Sequence, residues 1–580
     1  MKRTLAMILA LCIMLLCGCG AEASVASISA QQPTASSVEP EPPVQEPEPA
    51  VQEHSEVESI WEQSAIESQP EESEAVEIGL LTERPQVELP LCDGETLTMW
   101  RGAVNRDASI SSYSENTVYA ELEKRTGVTI EFTEVPPPSM QEQFSLMVAS
   151  QDYTDIMDGI ADYVSSLDVL VDSEIVTPLN SYLEEYAPSY NYLLNNCQEL
   201  SRASSTDDGT IPGFSLLRVN KLGPSQGLVI RGDWVDQLGL RDPKTYDQMH
   251  DVLTEIKNAG LCEYPLAMEY VGTFDYGTLA QGYGVRAHLD AAKEDYYIDE
   301  TGSVQFGPIQ DGFREYLEMI HAWYEEGLVT RDLLPNSMMS SSDVLSGKYA
   351  LWFDVGEFTE TYASMASDPA FCVRGISEPV QNEGDILALG GGAYYNAAAP
   401  SLYVSFTSEK PELAISFLDY CFSVEGSAMC NYGIEGEGME YDSDGYPHYS
   451  SLITDNPEGL TFTQCTIKYT LMAYGVIDDM RLQDSYSQNL LDSIACWRSA
   501  SQPSDNDYIS LFTMSVEESE EYSALYNNIL TYASECVSQF IVGEKPLDEW
   551  DNYVAEIKTM GIDTCVAHMQ AAYTRYKTRG

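Results

Sequence analysis

Between Ala21 and Pro90 the chain carries sixteen glutamates, one arginine (Arg84), and neither aspartate nor lysine, set among Pro, Ser, Gln, Ala and Val. Glu-Pro pairs recur at Glu39-Pro40-Glu41-Pro42 and Glu46-Pro47-Glu48-Pro49. Such a stretch holds too little apolar surface to offset the entropy of ordering, and its charges repel one another. It reads as an acidic tether that, as a flexible coil of ~70 residues, spans roughly 50 Å and more when extended. The apolar spots at Ile60-Trp61 and Ile78 to Leu81 read as incidental. A folded body is therefore confined to about residues 93–580 of a 580-residue chain. That body is itself acidic, with 77 Asp and Glu against 26 Lys and Arg, and the whole chain carries a formal charge of -64. A surface of this sign repels nucleic-acid phosphates and provides no basic patch for anionic lipid. Hydrophobic residues make up 44 %, enough for a buried core.

The six histidines never fall within four positions of one another, which excludes a local His-based metal motif. Ten cysteines follow Cys19, none in a CxxC pair, and a body of this size forms a core without staples, so they read as free, mostly buried thiols. No metal and no cofactor are expected. The acidic segment Asn431 to Glu440 lacks the spaced Asp/Asn loop of a calcium hand and reads as a solvated loop.

At the N-terminus, Lys2 and Arg3 precede a twelve-residue apolar run, Leu5 to Leu16. The run is shorter than the ~20 residues a bilayer span needs and fits a secretory signal. Leu16-Cys17-Gly18-Cys19 resembles the bacterial lipobox. That resemblance implies removal of residues 1–18, lipidation of Cys19 and a protein held on the extracellular face of the cytoplasmic membrane. A plain cleaved signal is the alternative.

The body alternates strands and helices. Leu97 to Trp100 is a strand, and Asn116 to Arg125 a helix closed by Gly127. Val128, Ile130 and Phe132 alternate with polar residues, Ser139-Met-Gln-Glu142 reads as a capping box opening a helix, and Thr154 to Met157 is the next strand. This β-α-β-α-β order predicts a parallel sheet covered by helices on both faces. A second α/β unit follows, with a strand at Gly227 to Arg231, a capping box at Thr245 to Gln248, a hairpin over Tyr296 to Phe306, a helix from Phe313 to Tyr324 and a strand at Tyr349 to Phe353. From Pro411 onward the chain is rich in helical stripes.

Several blocks, in order, carry a resemblance. Glu121-Leu-Glu-Lys-Arg-Thr-Gly127 runs into a Val-Thr-Ile-Glu strand, Ala149-Ser-Gln-Asp-Tyr-Thr-Asp155-Ile is similar to an ASGDxPDI block, and Ile230-Arg-Gly-Asp-Trp234 continues to Pro243-Lys-Thr245. Tyr324 to Val329, Ser346-Gly-Lys348, Asn431 to Gly436 and the tail Phe540 to Tyr576 complete the set. Together they resemble the extracellular solute-binding proteins of ABC sugar importers, family 1, in the lipoprotein form of the LipO/YtcQ-like type. The resemblance implies an α/β, two-lobed, periplasmic-binding-protein-like (type II) fold with a hinged cleft. It places lobe 1 at 93–226 plus 385–450 and lobe 2 at 227–384 plus 451–580, with 19–92 as the tether. It implies a non-catalytic monomer that binds a carbohydrate, an oligosaccharide, and delivers it to permease subunits.

Ligand contacts in such lobes come from loops after strand C-terminal ends. Four loops are expected to supply them: Trp100, Arg101 and Asn105; Asp158, Asp162 and Tyr163; Tyr270, Phe274, Asp275 and Tyr276; Trp352, Asp354 and Glu357. Gly390-Gly-Gly392-Ala-Tyr394 is either a further contact or a hinge crossing, and Trp234, at the start of a helix, reads as packing. Two other classes stay open on the residues alone. An exported glycoside hydrolase needs a spaced carboxylate pair, which 93 acids do not exclude, although neither a GxSxG elbow nor a HExxH helix is present. A binding protein for a peptide or other polar solute is the third.

Overall fold

The computed structural model describes residues 78–580 apart from 105–108, 165, 220–221, 271–272, 275–276, 278, 290–294, 332–339, 388, 390–396, 472–473, 484, 501–504 and 580, with backbone alone for 269–270, 273–274, 500, 505 and 507. The signal, Cys19, most of the tether, Asn105, Asp275, Tyr276 and the Gly390 to Tyr394 run lie outside the described residues.

The first part of the body comprises β1 (Glu95–Gly102), α1 (Thr117–Thr126), β2 (Val128–Val135), α2 (Met140–Ser150), β3 (Ile156–Asp158), α3 (Pro188–Asn196) and β4 (Phe214–Val219). The chain then passes to a second sheet, with β5 (Gln226–Arg231), α4 (Tyr246–Asn258), the hairpins β6 (Glu269–Tyr270) with β7 (Thr273–Phe274) and β8 (Tyr296–Ile298) with β9 (Val304–Phe306), α5 (Asp311–Glu325), β10 (Leu351–Val355), α6 (Gly356–Met365) and β11 (Val373–Gly375). It returns with β12 (Ala397–Val404), α7 (Pro411–Tyr420), α8 (Val424–Tyr432), the hairpin β13 (Met439–Tyr441) with β14 (Pro447–Tyr449), α9 (Phe462–Tyr469) and β15 (Val476–Asp478). The last stretch is helical, with α10 (Gln488–Ala500), α11 (Val516–Val542), α12 (Trp550–Met560) and α13 (Ile562–Tyr576).

The strands form two main sheets, one of order β15-β4-β12-β3-β1-β2 and one of order β10-β5-β11. Three connections link them: Val219 to Gln226, Gly375 to Ala397 and Asp478 to Gln488. This is the two-lobed α/β, type II arrangement. The third crossing corrects the expected boundary at residue 450, because β15 is paired with β4 and belongs to the large sheet. Three residues of Val-Ile-Asp are too short for periodicity to announce a strand. Asn431 holds its free side: the Asn431 amide donates to Val476 O at 2.6 Å and accepts from Asp478 N at 2.9 Å.

Each sheet is buried on both faces. On β1, Leu97 and Met99 enter the largest core cluster while Trp100 points to a second cluster with Phe144, Met157 and Tyr403. On β5, Leu228 and Ile230 enter the largest cluster, and Val229 joins Trp352, Val373 and Trp497 on the other side. Local signals fix the element ends. Asn116 caps α1 by accepting from Val118 N at 2.9 Å, and Gly127 closes it at φ 78°, where a Cβ would meet Cys92 O at 2.1 Å. Thr245 caps α4 through Gln248 N. Ser139, in contrast, makes no capping bond: Pro136 to Pro138 start a 3-10 turn, Pro137–Ser139, that runs directly into α2. All ten cysteines from Cys92 onward are free, half of them fully buried.

The tether also ends earlier than residue 92. Residues 78–92 form a strap on the large-sheet lobe. Leu80 is 1 % exposed and Val87 8 %. Arg84 donates to Ser423 O at 3.4 Å, Ser189 Oγ donates to Pro85 O, and Leu91 N pairs with Thr126 O. Burial pulls the Arg84 pKa down to about 10, with nearby Asp419 acting against it. Asp419 of α7 in turn accepts from Ser189 N and Tyr190 N, buried amides of the first turn of α3 that have no partner within the helix, at 3.2 and 2.8 Å. Burial nevertheless pushes its carboxyl up to about 7. Incidental apolar residues and a packed strap have the same composition, and only the receiving groove distinguishes them.

Replacing Leu80 with Ala should cost about 2–5 kcal/mol, read as a lower urea midpoint at unchanged slope. A cost under about 0.5 kcal/mol would mean that the strap is no part of the folded body. The raised Asp419 pKa sets a sign for pH. Its contribution is complete below about pH 4, the range of a solvated carboxyl, and is lost as pH rises through about 7. Wild-type stability should therefore fall relative to Asp419→Asn between pH 4 and 8, by ~1.4 kcal/mol for every pH unit that separates the buried carboxyl from a solvated one. Parallel stability curves for the two proteins would show that the carboxyl is not perturbed.

Candidate functional site

Sheets covered on both faces leave one place where polar side chains from several strands meet, the edge formed by strand ends. In the large sheet β1, β2, β3, β4 and β15 all end on the same edge, because β12 runs antiparallel to both of its neighbours. In the small sheet β10 ends where β5 begins, Val355 opposite Gln226, and α6 starts at the next residue. Two of the crossings run between these edges. A cavity of about 940 Å³ lies between them, near the upper end of the size range of small-molecule sites.

The large-sheet wall of the cavity presents Arg218 from β4, Phe462 and neighbouring threonines from the start of α9, and Asp479 and Arg481 from the 3-10 turn after β15. The small-sheet wall is α6, with Glu357, Glu360 and Thr361, and the crossings add Ser225, Gln226 and Tyr486. The sequence folds this way locally for identifiable reasons. Thr461 and Gln464 form a reciprocal capping box that opens α9. Asp478 accepts from Met480 N at 3.1 Å and so starts the turn that carries Asp479 and Arg481. The hydroxyls of Tyr432 and Tyr446 both donate to Asp478 Oδ2, the first at 2.8 Å. One buried carboxylate then holds two arginines: Asp479 Oδ1 lies 3.1 Å from Arg218 Nη1 and 3.5 Å from Arg481 Nη1. Arg481 Nη1 also donates to Asp478 O at 2.7 Å. Across the cavity, Tyr486 Oη donates to Glu357, and Ser487 N donates to Glu360 Oε1 at 2.7 Å.

The cavity thus combines hydroxyls, carboxylates, two guanidiniums and two aromatic rings between two lobes. The sequence profile of the bacterial extracellular solute-binding proteins matches residues 117–432, over half of the chain and in both lobes. The chain belongs to that family. The solute-binding protein is similar to the fructooligosaccharide ABC transporter substrate-binding protein FusA of Streptococcus pneumoniae, at 21 % identity over 522 residues, 85 % of this chain and 92 % of FusA. It is also similar to the lipoprotein LipO of Bacillus subtilis, at 24 % identity over 338 residues, 55 % of this chain and 63 % of LipO. Among solved structures, an HMO binding, ABC-transporter associated solute binding protein from Bifidobacterium longum infantis shares the fold. It superposes with a TM-score of 0.69 at 16 % identity, covering 83 % of this chain and 99 % of that one. FusA is named a substrate-binding protein and the Bifidobacterium protein a solute binding protein, in keeping with the family.

Of the described members of the loops expected to hold ligand, Glu357 alone lines this cavity. Trp100 is 1 % exposed and packs edge-on against Tyr163 at 6.4 Å, so it has no free face. Trp352 and Asp354 are fully buried and bonded to each other, Trp352 Nε1 to Asp354 Oδ2 at 2.7 Å. Asp354 also accepts from Tyr362 Oη at 2.7 Å and from Val355 N at 2.9 Å. Burial raises its pKa against these donors. Arg101 and Asp158 do come together at 3.5 Å, but Arg101 is caged by Tyr119 Oη at 2.9 Å and Tyr474 Oη at 3.1 Å, with the Tyr113 ring 3.5 Å away. Burial opposes the Arg101 charge, and Tyr474, Tyr119 and Asp158 outweigh it to raise the pKa. Asp162 is exposed and Tyr163 half-buried. Tyr270 and Phe274 lie on the β6-β7 hairpin, Tyr270 paired with Thr273 and Phe274 with Glu269. Trp234 packs, as expected, under the Arg231 guanidinium at 3.8 Å.

Arg218, Asp479 and Arg481 escaped the sequence reading. The available signal was Arg218, a charged residue at the end of an apolar strand just before a crossing.

Removing the Asp354 carboxylate leaves three donors without an acceptor. Asp354→Ala should lose about 3 kcal/mol or more by urea unfolding. A loss below about 1 kcal/mol would restore Asp354 as a candidate ligand contact.

Proposed function

We propose that the chain is a receptor that captures a carbohydrate, an oligosaccharide, in the cleft between its lobes and passes it chemically unchanged to the permease of an ABC importer. The observation that carries this reading is the cavity between facing strand edges, where ring faces (Phe462, Tyr486) stand beside groups that bond hydroxyls (Arg218, Arg481, Glu357, Thr361). A sugar ring has an apolar C–H face and an equatorial belt of hydroxyls, and it needs both kinds of partner. Three connections between the lobes permit closure by hinge motion. The relatives support the solute class: FusA takes fructooligosaccharide by its name, and the Bifidobacterium protein HMO. The lipobox-like Leu16 to Cys19 and the likeness to LipO support lipidation at Cys19 and a place on the extracellular face of the membrane. We further propose that it acts as a monomer.

A thermal-shift panel of oligosaccharides, peptides and amino acids tests this. Saturation at 100 times Kd should add ~2.7 kcal/mol of stability with a saccharide, and mass spectrometry should recover that saccharide intact. A shift with peptides alone, or a cleaved saccharide, would overturn the proposal.

A further inference from the structure

The charges that line the cavity are unequal in sign. Arg218 and Arg481 are positive; Asp479, Glu357 and Glu360 are negative. The two arginines are also not independent. Both face the same oxygen of Asp479, which is almost wholly buried, so one carboxylate partly neutralises both guanidiniums before any ligand arrives. Arg481 is further committed to Asp478 O through the same Nη1, and its Nε, buried, has no acceptor among the described residues. Recognition of a carboxylate by arginine takes a fork of parallel donors that carries uncompensated charge. The opposite wall is worse for an anion: Glu357 and Glu360 stand one turn apart on α6 and face the same space. Beyond the cavity the field of the body has the same sign, with 77 acids against 26 bases. That field lowers the local concentration of any anion.

We infer that the cleft selects a neutral oligosaccharide and rejects uronic-acid oligosaccharides, with Asp479, Glu357 and Glu360 as the specificity-determining residues. Its guanidiniums act as hydroxyl donors whose charge Asp479 has already partly offset. Its glutamates accept from hydroxyls and repel carboxylates, so discrimination comes from a repulsive element as well as from attraction. This inference rests on the carbohydrate reading above and divides the solutes that reading permits.

The test is a binding comparison on the full chain, by thermal shift and calorimetry at low salt. Neutral fructan, β-glucan and mannan oligosaccharides are set against oligogalacturonate and oligoalginate of matched length, with a short peptide mixture as a third arm. Binding of a neutral saccharide with no uronate binding is the expected result. Uronates that bind as tightly as the best neutral saccharide would overturn the neutral selection and leave the carbohydrate reading standing. No saccharide binding at all, with or without a peptide shift, would overturn the carbohydrate reading and this inference with it. A Glu357→Gln/Glu360→Gln double variant, altered on the cavity wall and not in the core, should reduce the preference for neutral over uronic ligand by at least roughly tenfold. An unchanged ratio in a folded variant would remove those glutamates from the account of specificity.

Discussion

Burial of both faces of both sheets is the constraint from which the rest of this structure follows. Strands packed on two sides cannot expose polar side chains along their length, so chemistry is pushed to their ends. The antiparallel β12, inserted between β3 and β4, preserves a common direction for its neighbours and thereby gathers five strand ends on one edge. The small sheet turns an end of its own toward that edge, and the connections between the sheets pass through the same region. A cleft results from topology alone, before any residue on its walls is chosen.

What fills the walls is then decided by local devices. Asp478 shows this well. Its side chain starts a turn, collects two tyrosine hydroxyls, and its carbonyl steadies Arg481. The next residue, Asp479, gathers both arginines. Neighbouring carboxylates in one short segment thus divide the work of building the turn and balancing the charge on it.

Local sequence patterns were readable where elements are long and alternate cleanly. The first strand, both flanking helices and the two strands after them follow from periodicity, with Gly127 closing α1 as expected and Ser139 capping nothing, and the two-lobe arrangement follows from block order. β12 was not legible because Pro400 interrupts its ladder with shifted register, and β15 because it is three residues long. β15 sets the last crossing, so the boundary expected at residue 450 falls short of it, while β12 lies in the expected lobe. The site was legible only in outline. Trp100 and Trp352 are aromatics near strand ends in the sequence pattern, yet each lies on the second buried face of its sheet. Alternation says which face a residue shares with its neighbours, and in a sheet covered twice neither face is open. Arg218 and Asp479 lie 261 positions apart in the chain, a distance over which one sequence carries no pairing signal.

The strap formed by residues 78–92 has a consequence for how such a body would be oriented. It binds α1, α3 and the segment around Ser423, all on the large-sheet side, and the described strap contacts do not reach the small sheet. The strap is therefore fastened to one half. If the halves swing about their three connections, the strap travels as one body with the large-sheet half.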